Sequence, residues 1–418
     1  MASKSTIPDK KRANNAGSIY YDKQTDSYRA ALTLPDGKRA SKRFKTEPEA
    51  ENWLALSRAE LGLGTFIAPS TVTVGEYMAD WLETHVQSNV RPRTFERYLS
   101  LIAHIETIQD TAVQKITATK LKKLYNGITV SIKRTDKKTG EKTTITRPAS
   151  GETKKKVHNL LSAMLEQARI DRIIMQNPAK DVAAPKVTRE EIETFSEDEI
   201  KAILDRAQDC PIRNQYTQKV HPWFPALYLA IVTGIRMSEL LGLRWEDIDL
   251  KQEYIHIRQT LQRAKIGILF QEPKTKAGKR KISLPPEIIP ILTQLREKTI
   301  AGDPEKFSTK TLAFVNSEGH SIDPNNWQRW WRKLLKDANV VHKNFHALRH
   351  THATKLLAAG VPLMEVSRRL GHSKPSHTLD LYGHAIPGHD QEVAKQIGDI
   401  YNLNGKRDQK KEEQSVEK

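Results

Sequence analysis

The sequence has few of the residues that cross-link a small domain or bind metal in it. It contains one cysteine, Cys210, which excludes an internal disulfide framework and a zinc site built on cysteine ligands. It has no run of about 18 consecutive apolar residues, so we expect no transmembrane helix. Its first residues carry no apolar stretch of the signal-peptide kind. Together with the single cysteine, these absences lead us to expect a cytoplasmic protein.

Sequence motifs for several common chemistries are also missing. There is no G-x-x-x-x-G-K-[ST] loop for the phosphates of ATP and no serine nucleophile elbow. The close spacing of His346, His350 and His352 suggests a metal site, but no companion cysteine and no H-E-x-x-H arrangement supports one. We therefore expect neither a metal ion nor another cofactor.

The charges that are present are mostly positive. The 418 residues include 68 Lys and Arg against 50 Asp and Glu, which gives a formal net charge of +18. Such an excess creates a positive field whose commonest partner is a nucleic-acid backbone. A ribosomal-type or merely soluble basic protein is the alternative at this point. The length predicts two or three domains.

Residues 1–65 have the pattern of a small β module followed by a helix. Three short strand-like runs stand there: Ser18–Tyr21, Tyr28–Thr33 and Arg39–Phe44. Asp36-Gly37 is a hairpin-turn signal between the last two runs. A helix over Glu47–Leu63 is predicted to cover one face of the sheet, because a sheet of this size is not stable alone.

The uncovered face of the predicted sheet is basic. It draws its side chains from a set of four residues: Tyr20, Arg29, Lys42 and Arg43. A face of this kind can lie in a DNA groove and contact phosphates. Solvated basic strands are the alternative interpretation.

Residues 74–180 follow a mostly helical periodicity, after a linker over residues 66–73. Four amphipathic segments stand there: Gly75–Thr84, Thr94–Ile102, Ala118–Tyr125 and Lys154–Ile170. A basic insert, Lys133–Lys142, separates the third segment from the fourth. We expect this insert to form an exposed loop or hairpin.

A proline-containing connector, Asn177–Lys186, marks the next boundary. A mostly helical domain is predicted over residues 190–403, where the capping-box residues Ser196–Glu199 begin the first helix. Three predicted strands interrupt it: Tyr254–Ile257, Gly267–Phe270 and Arg280–Leu284. The charged tail, residues 404–418, is expected to be disordered. The predicted fold class is therefore multi-domain, mainly α with small antiparallel β-sheets.

Three segments of this last domain concentrate residues capable of chemistry. In the first, Thr233–Asp249, Thr-Gly ends an apolar helix and Arg236 follows in the first turn of the next one. A phosphate bound there would gain from the guanidinium and from free backbone amides. Glu239 lies three residues on, close enough to hold the Arg236 guanidinium. An ordinary surface ion pair is the alternative.

The other two segments add lysines, histidines and a tyrosine. Pro273–Pro285 is predicted to form a hairpin with a cationic tip. Asn344–His384 contains His346 and Arg349, which project from one face of a helix because they are three residues apart. Its remaining motifs are Leu370-Gly-His372 and Tyr382.

This set of motifs resembles the tyrosine recombinase (phage integrase) family. T-G-x-R-x-x-E-L, a hairpin lysine, H-x-L-R, L-G-H and a following tyrosine stand in the family's order and spacing across the C-terminal half. The resemblance implies a site-specific DNA recombinase of the mobile-element integrase type that needs neither ATP nor metal. It further implies an arm-type DNA-binding module (1–65), a SAM-like core-binding domain (74–180) and a catalytic domain (190–403).

The resemblance also implies roles for single residues at matching positions. Arg236 and Arg349 would clamp the scissile phosphate and offset the charge on its non-bridging oxygens. Tyr382 would attack it and form a 3′-phosphotyrosyl link, leaving a free 5′-hydroxyl. A phenol with a pKa of about 10 needs a proton acceptor at neutral pH. The residue that resembles this acceptor is His346.

Three further roles follow from the same resemblance. His372 would hydrogen-bond the phosphate. Lys274 would be the general acid that protonates the leaving 5′ oxygen, with Lys276 as the alternative. Glu239 would orient Arg236 rather than transfer protons.

The family implies double-stranded DNA as partner, through core and arm attachment sites, and a homo-tetramer that exchanges strands through a four-way junction. The segment from Ala385 to about Leu403 resembles the one that packs on a neighbouring subunit. A directionality factor and a host DNA-bending protein are further partners left open. A type IB topoisomerase is disfavoured by the separate N-terminal module. A non-catalytic DNA-binding scaffold is disfavoured because every expected catalytic position is filled.

Overall fold

A computed structural model describes residues 17–35, 37–135, 140–188, 192–209, 223–305, 307–383, 396–397 and 400–401. The chain divides into two compact units, Met1–Arg189 and Glu190–Lys418. Asp36, Cys210 and the tail 404–418 lie outside the described residues, as does most of the segment Ala385–Leu403. No helix within the described ranges is long and apolar enough to cross a membrane.

The first unit opens with a three-stranded antiparallel sheet in the order β1-β2-β3 and a helix that covers it. Its elements are β1 (Ser18–Asp22), β2 (Ser27–Thr33), β3 (Arg39–Phe44) and α1 (Glu47–Gly62). Ala30 and Leu32 of β2 are buried on the side that carries α1, together with Ala50 and Leu54 of the helix. The predicted three-stranded module with its helix is thus confirmed.

The register of this sheet divides the four predicted contact residues between its two faces. Arg29 pairs with Tyr20 on one side and with Arg43 on the other, so these three side chains share the open face. Lys42 pairs with the buried Ala30 and lies on the face that α1 covers, where its ammonium stands 5.5 Å from the Phe44 ring centroid. Of the four residues from which the basic face was expected to draw, Lys42 therefore does not belong to it, because successive residues of a strand alternate between faces.

A helical bundle follows in the first unit. Its helices are α2 (Val74–Trp81), α3 (Pro92–Ile102), α4 (Ala118–Gly127) and α5 (Gly151–Ile170), in the four places predicted. Thr73 and Ser150 cap α2 and α5, because each side chain accepts a hydrogen bond from the backbone N–H three residues on. The described ends of the basic insert lie in two paired antiparallel strands, β4 (Thr129–Thr135) and β5 (Lys142–Pro148), which agrees with the expected hairpin form.

The second unit is mostly helical around an aromatic core. Its helices are α6 (Glu197–Asp209), α7 (Trp223–Thr233), α8 (Met237–Leu240), α9 (Ile289–Gly302), α10 (Pro324–Asp337), α11 (Ala347–Ala358), α12 (Leu363–Leu370) and α13 (Pro375–Tyr382). Trp327 and Trp331 of α10 are fully buried. The Phe345 ring packs edge-on against both, with centroids 5.4 and 5.2 Å away. Phe345 thereby fixes the start of α11, which carries Arg349 and has His346 at its N-cap.

Strand pairing in the second unit corrects one prediction. Its strands are β6 (Ile248–Asp249), β7 (Tyr254–Ile257), β8 (Thr260–Ala264), β9 (Gly267–Gln271) and β10 (Arg280–Ser283). β9 pairs with β8, whereas β10 pairs with β7 in a separate sheet, so the predicted hairpin over Pro273–Pro285 is wrong. The basic segment instead connects two sheets. The sequence did not predict β8, because its apolar residues Leu261 and Ala264 lie three apart, which is not the two-residue period of a strand.

Two helix ends of the second unit depend on glycine to different degrees. Gly360 after α11 and Gly371 after α12 both have positive φ, +80° and +69°. A Cβ at Gly360 would meet nothing within 4 Å, whereas one at Gly371 would stand 2.8 Å from the carbonyl oxygen of Ala277 and 2.9 Å from Cδ of Arg280. Of these two glycines, Gly371 is the one that needs both the backbone conformation and the missing side chain.

We predict that Gly371→Ala destabilises the second unit clearly more than Gly360→Ala. The Gly360 variant suffers the left-handed backbone alone, about 1–2 kcal/mol. The Gly371 variant adds overpacking against backbone, about 1–3 kcal/mol more. Denaturant unfolding followed by tryptophan fluorescence measures both. Equal losses would mean that the close approach at Gly371 relaxes freely.

Candidate active site

Arg349 is buried in α11, with 2% of its surface exposed. Its Nη1 donates to the carbonyl oxygen of Gly234 at 3.0 Å and its Nη2 to that of Leu370 at 2.6 Å. Both carbonyls lie at helix C-termini, where they lack a partner inside the helix. Burial lowers the pKa of Arg349 to about 9, and the charge of Arg236 adds to this, which still leaves the guanidinium protonated at neutral pH.

Glu239 is a buried carboxylate between two arginines. Arg236, at the N-cap of α8, donates from Nη1 to Oε1 at 2.8 Å, and its backbone N–H donates to Oε2 at 3.1 Å. Arg280 of β10 donates from Nη1 and Nη2 to the same two oxygens at 3.1 and 2.9 Å. Burial raises the pKa of Glu239, but the charges of Arg280, Arg236 and Arg349 outweigh it and hold this pKa at about 2. Glu239 is therefore a permanent anion that fixes both guanidiniums.

Arg280 is a member of this group that the sequence reading missed. It sits in the run Lys279-Arg-Lys281, where every residue is basic. The two-residue period of β10 distinguishes Arg280 from its basic neighbours, because Arg280 and Ile282 are buried while Lys281 and Ser283 are exposed. That period was the one signal in the sequence that marks Arg280 as an inward-facing arginine.

Tyr382 ends α13 with 1% of its surface exposed. Its hydroxyl lies 2.6 Å from Nδ1 of His350, and the two ring centroids are 5.6 Å apart. Burial raises the pKa of Tyr382, while the charges of Arg349 and Arg236 work against that rise. His350 lies one turn after His346 on α11, and in the sequence it stands out only through its close spacing to His346 and His352.

His346 stands at the N-cap of α11 and keeps an exposed edge. Its ring packs edge-on against His350 with centroids 4.7 Å apart. The crowding on its inner side lowers the pKa of His346 to about 3, helped by His350, Arg349 and Arg236. His346 is thus an exposed, neutral imidazole on which the charges of Arg349 and Arg236 act.

His372 follows Gly371 directly, so the left-handed turn after α12 sets its direction. Its Nδ1 lies 2.7 Å from Oγ1 of Thr378, a buried residue of α13. Burial lowers the pKa of His372 to about 3, and the charges of Arg349 and Arg236 contribute. The same two arginines therefore act on His346, His372 and Tyr382, which brings these residues into one electrostatic neighbourhood.

His352 has a structural position. Its Nδ1 lies 3.2 Å from the carbonyl oxygen of Ile231, and its Nε2 accepts from Nε of Arg369 at 3.2 Å. Both ring nitrogens are engaged, so neither is free for a metal. Within the described ranges no group of three or more His, Cys, Asp or Glu side chains is arranged to hold a metal ion.

Lys274 and Lys276 both lie in the exposed connection between β9 and β10. Lys276 begins a short 3₁₀ turn that ends at Gly278. Ala277 in that turn is the residue whose carbonyl stands against Gly371, so the connection approaches the site at this point. No hydrogen bond or ion pair in the described part of the chain distinguishes Lys274 from Lys276, and both alternatives stay open.

Sequence comparisons bear on this site. Residues 193–389 match the phage integrase family, and residues 73–128 match the phage integrase N-terminal SAM-like domain. The chain is 30% identical over 413 residues to a tyrosine recombinase XerC-like protein of Caldanaerobacter subterraneus subsp. tengcongensis, covering 91% of this chain and 98% of the relative. This chain belongs to the tyrosine recombinase (phage integrase) family. A prophage phiRv2 integrase of Mycobacterium tuberculosis is 28% identical, covering 88% of this chain and 91% of the relative.

Solved structures agree on the fold. The Tn1549 transposon integrase, solved in complex with a circular intermediate DNA, aligns with a TM-score of 0.60 at 22% identity, over 78% of this chain and 98% of that one. A lambda integrase fragment, solved as a dimer bound to a core site, aligns with a TM-score of 0.53 at 18% identity, over 74% and 95%. The predicted fold class is confirmed, and the enzyme is a tyrosine-type site-specific DNA recombinase of the mobile-element integrase type.

We predict that Glu239→Gln destabilises the second unit by about 3–5 kcal/mol, because it leaves buried guanidiniums without their anion. The matched control is Glu365→Gln, which breaks an exposed i,i+3 pair with Arg368 and should cost about 0–1 kcal/mol. Thermal unfolding of the two variants measures the difference. A Glu239 variant as stable as the control would mean that water or ions replace the carboxylate.

Proposed function

We propose that this recombinase cuts and rejoins DNA through a covalent bond between Tyr382 and a 3′-phosphate, with release of a 5′-hydroxyl. The observation that carries the proposal is the setting of the Tyr382 hydroxyl. It lies in a buried neighbourhood on which the charges of Arg349 and Arg236 act. A phosphodiester drawn to those charges would arrive beside the phenol that attacks it.

The two arginines suit different parts of that task. Arg349 is immobilised by two carbonyl oxygens and lies deep. Arg236 keeps a third of its side chain exposed while Glu239 holds one nitrogen, so other donors of its guanidinium stay available. Positive charge fixed in advance stabilises the pentacoordinate phosphorane, in which charge accumulates on the non-bridging oxygens, without reorganisation. Glu239 supplies the orientation and no proton, because its pKa lies near 2.

Two neutral imidazoles and a lysine complete the proposed centre. His372 and His346, both with pKa values near 3, are uncharged at neutral pH, so each can donate one N–H to a phosphate oxygen. Lys274, or Lys276 in its place, would protonate the 5′ oxygen as it leaves. The energy of the phosphodiester is kept in the tyrosyl link, which is why the reaction would need neither ATP nor metal.

The proposed assembly is a tetramer on two DNA sites, with strands exchanged in turn through a four-way junction. The lambda integrase, whose fold is similar, has been solved as a tetramer bound to a Holliday junction. The segment from Ala385 to Leu403 would pack on a neighbouring subunit. We propose core sites as the target of the bundle and the second unit.

We further propose that the N-terminal sheet binds arm-type DNA through its open face. Tyr20, Arg29 and Arg43 lie in one row across the three strands. Arg29 is braced by Ser41, whose hydroxyl accepts from Nη2 at 3.0 Å, and its Cζ lies 5.9 Å from the Tyr20 ring centroid. A braced arginine row is suited to phosphate contacts at little entropic cost.

We predict that Tyr382→Phe binds DNA normally and forms no covalent complex. The wild-type protein is mixed with a duplex nicked near the scissile position, in EDTA and without ATP, and should give a denaturation-resistant adduct that maps to Tyr382. The control is Tyr254→Phe on β7, which loses a hydroxyl elsewhere in the same unit and should keep the adduct. An adduct, or recombination, in the Tyr382 variant would refute the proposed nucleophile.

We predict that Arg29→Ala with Arg43→Ala weakens binding to arm-site DNA and lowers the salt slope of log K by about 2, close to one unit per lost phosphate contact. Lys42→Ala, on the helix-covered face, should leave the slope nearly unchanged. Titrations at several salt concentrations measure the slope. A loss for Lys42 as large as the loss per arginine would contradict binding through the open face.

A further inference from the structure

The hydroxyl of Tyr382 has one hydrogen-bond partner among the described residues, and it is not the histidine that the family resemblance assigned. Nδ1 of His350 lies 2.6 Å from it. His346 contacts His350 instead, ring edge to ring face. The three side chains thus stand in the order His346, His350, Tyr382, with His350 in the middle.

The direction of this hydrogen bond follows from the chemistry of its two ends. Burial lowers the pKa of His350, and the adjacent Arg349 lowers it further, so the ring is neutral at pH 7. Burial raises the pKa of Tyr382, so the phenol keeps its proton. A neutral imidazole offers one lone pair and one N–H. The phenol therefore donates to Nδ1, and the ring proton of His350 is on Nε2.

We propose that His350 is a catalytic residue that accepts the Tyr382 proton during strand cleavage. The proposal rests on Tyr382 as the nucleophile. As the Oη–P bond forms and the P–O5′ bond breaks, the phenolic proton moves along the existing hydrogen bond to Nδ1. The leaving 5′ oxygen takes a proton from the lysine between β9 and β10. Rejoining runs the same transfers in reverse.

Position favours His350 over His346 for this transfer. A proton acceptor must lie within about 2.6–3.2 Å of the proton's heavy atom, and Nδ1 of His350, 2.6 Å from the Tyr382 hydroxyl, meets that distance. The charged and titratable groups that face it are Arg349 and His346 at the start of α11 and Tyr382 of α13. His346, exposed at the N-cap, is left free to contact the phosphate.

The test distinguishes two roles of His350: accepting the Tyr382 proton and only positioning the Tyr382 side chain. An asparagine side chain can present its oxygen close to where Nδ1 of histidine stands, so His350→Asn keeps a hydrogen-bond acceptor but removes the base. His350→Ala removes both. Adduct formation is timed on a nicked duplex whose 5′ bridging oxygen is replaced by sulfur, because a thiolate leaves without a general acid. The measured rate then no longer depends on proton donation by the lysine.

The expected result is a loss of about 100- to 10,000-fold in the cleavage rate of His350→Asn near pH 7. The loss should shrink about tenfold per pH unit as the solution is made more alkaline, because the phenolate then forms without a base. DNA affinity should stay unchanged in His350→Asn. Exposed His320→Asn serves as the control and should cleave at the wild-type rate.

Three outcomes would overturn the assignment. Cleavage by His350→Asn within about twofold of wild type would exclude a base at this position. A loss of cleavage rate that does not change with pH would mean that His350 only positions Tyr382. A pH-dependent loss in His346→Asn, absent from His350→Asn, would move the role to His346. If the wild-type protein formed no adduct at Tyr382, the proposed function would fail instead, independently of His350.

Discussion

The site depends on one buried anion. Arg280 and Arg349 are buried in the second unit and Arg236 lies partly exposed beside them, so their like charges repel strongly where little water screens them. The Glu239 carboxylate, hydrogen-bonded to Arg236 and Arg280, makes that convergence tolerable. One carboxylate against three guanidiniums leaves the site positive, and this excess is the property that a phosphodiester would complement. The anion therefore sets the architecture as well as the charge.

Helix ends supply the rest of the support. Arg349 donates hydrogen bonds to the carbonyl oxygens of Gly234 and Leu370, which lie at the ends of α7 and α12. Arg369 similarly donates to the carbonyl of Val232, near the end of α7. The negative end of a helix dipole favours a cation at that place. The Thr-Gly and Leu-Gly motifs are thus explained physically: each stops a helix where an arginine needs an acceptor.

The sequence predicted the element types, the four-helix bundle and the cluster of motif residues, because periodicity and motif spacing are local properties. It failed where pairing between distant segments decides the outcome. β10 pairs with β7 and not with its neighbour β9, so the basic segment is a connection and no hairpin. Which of the four candidate residues share the open face of the first sheet could not be predicted either, because the face depends on register. Arg280 and His350 were missed because their roles exist only through contacts with Glu239 and Tyr382.

Burial acts in opposite directions on the two partners of the Tyr382–His350 hydrogen bond. It raises the pKa of the phenol and lowers that of the imidazole, so Tyr382, the proposed nucleophile, keeps its proton. The arginine charges partly counter this at Tyr382. A bound phosphate would offset those same charges and withdraw their help at the moment of attack. A proton acceptor in direct contact is then required, since electrostatics alone no longer favours the phenolate.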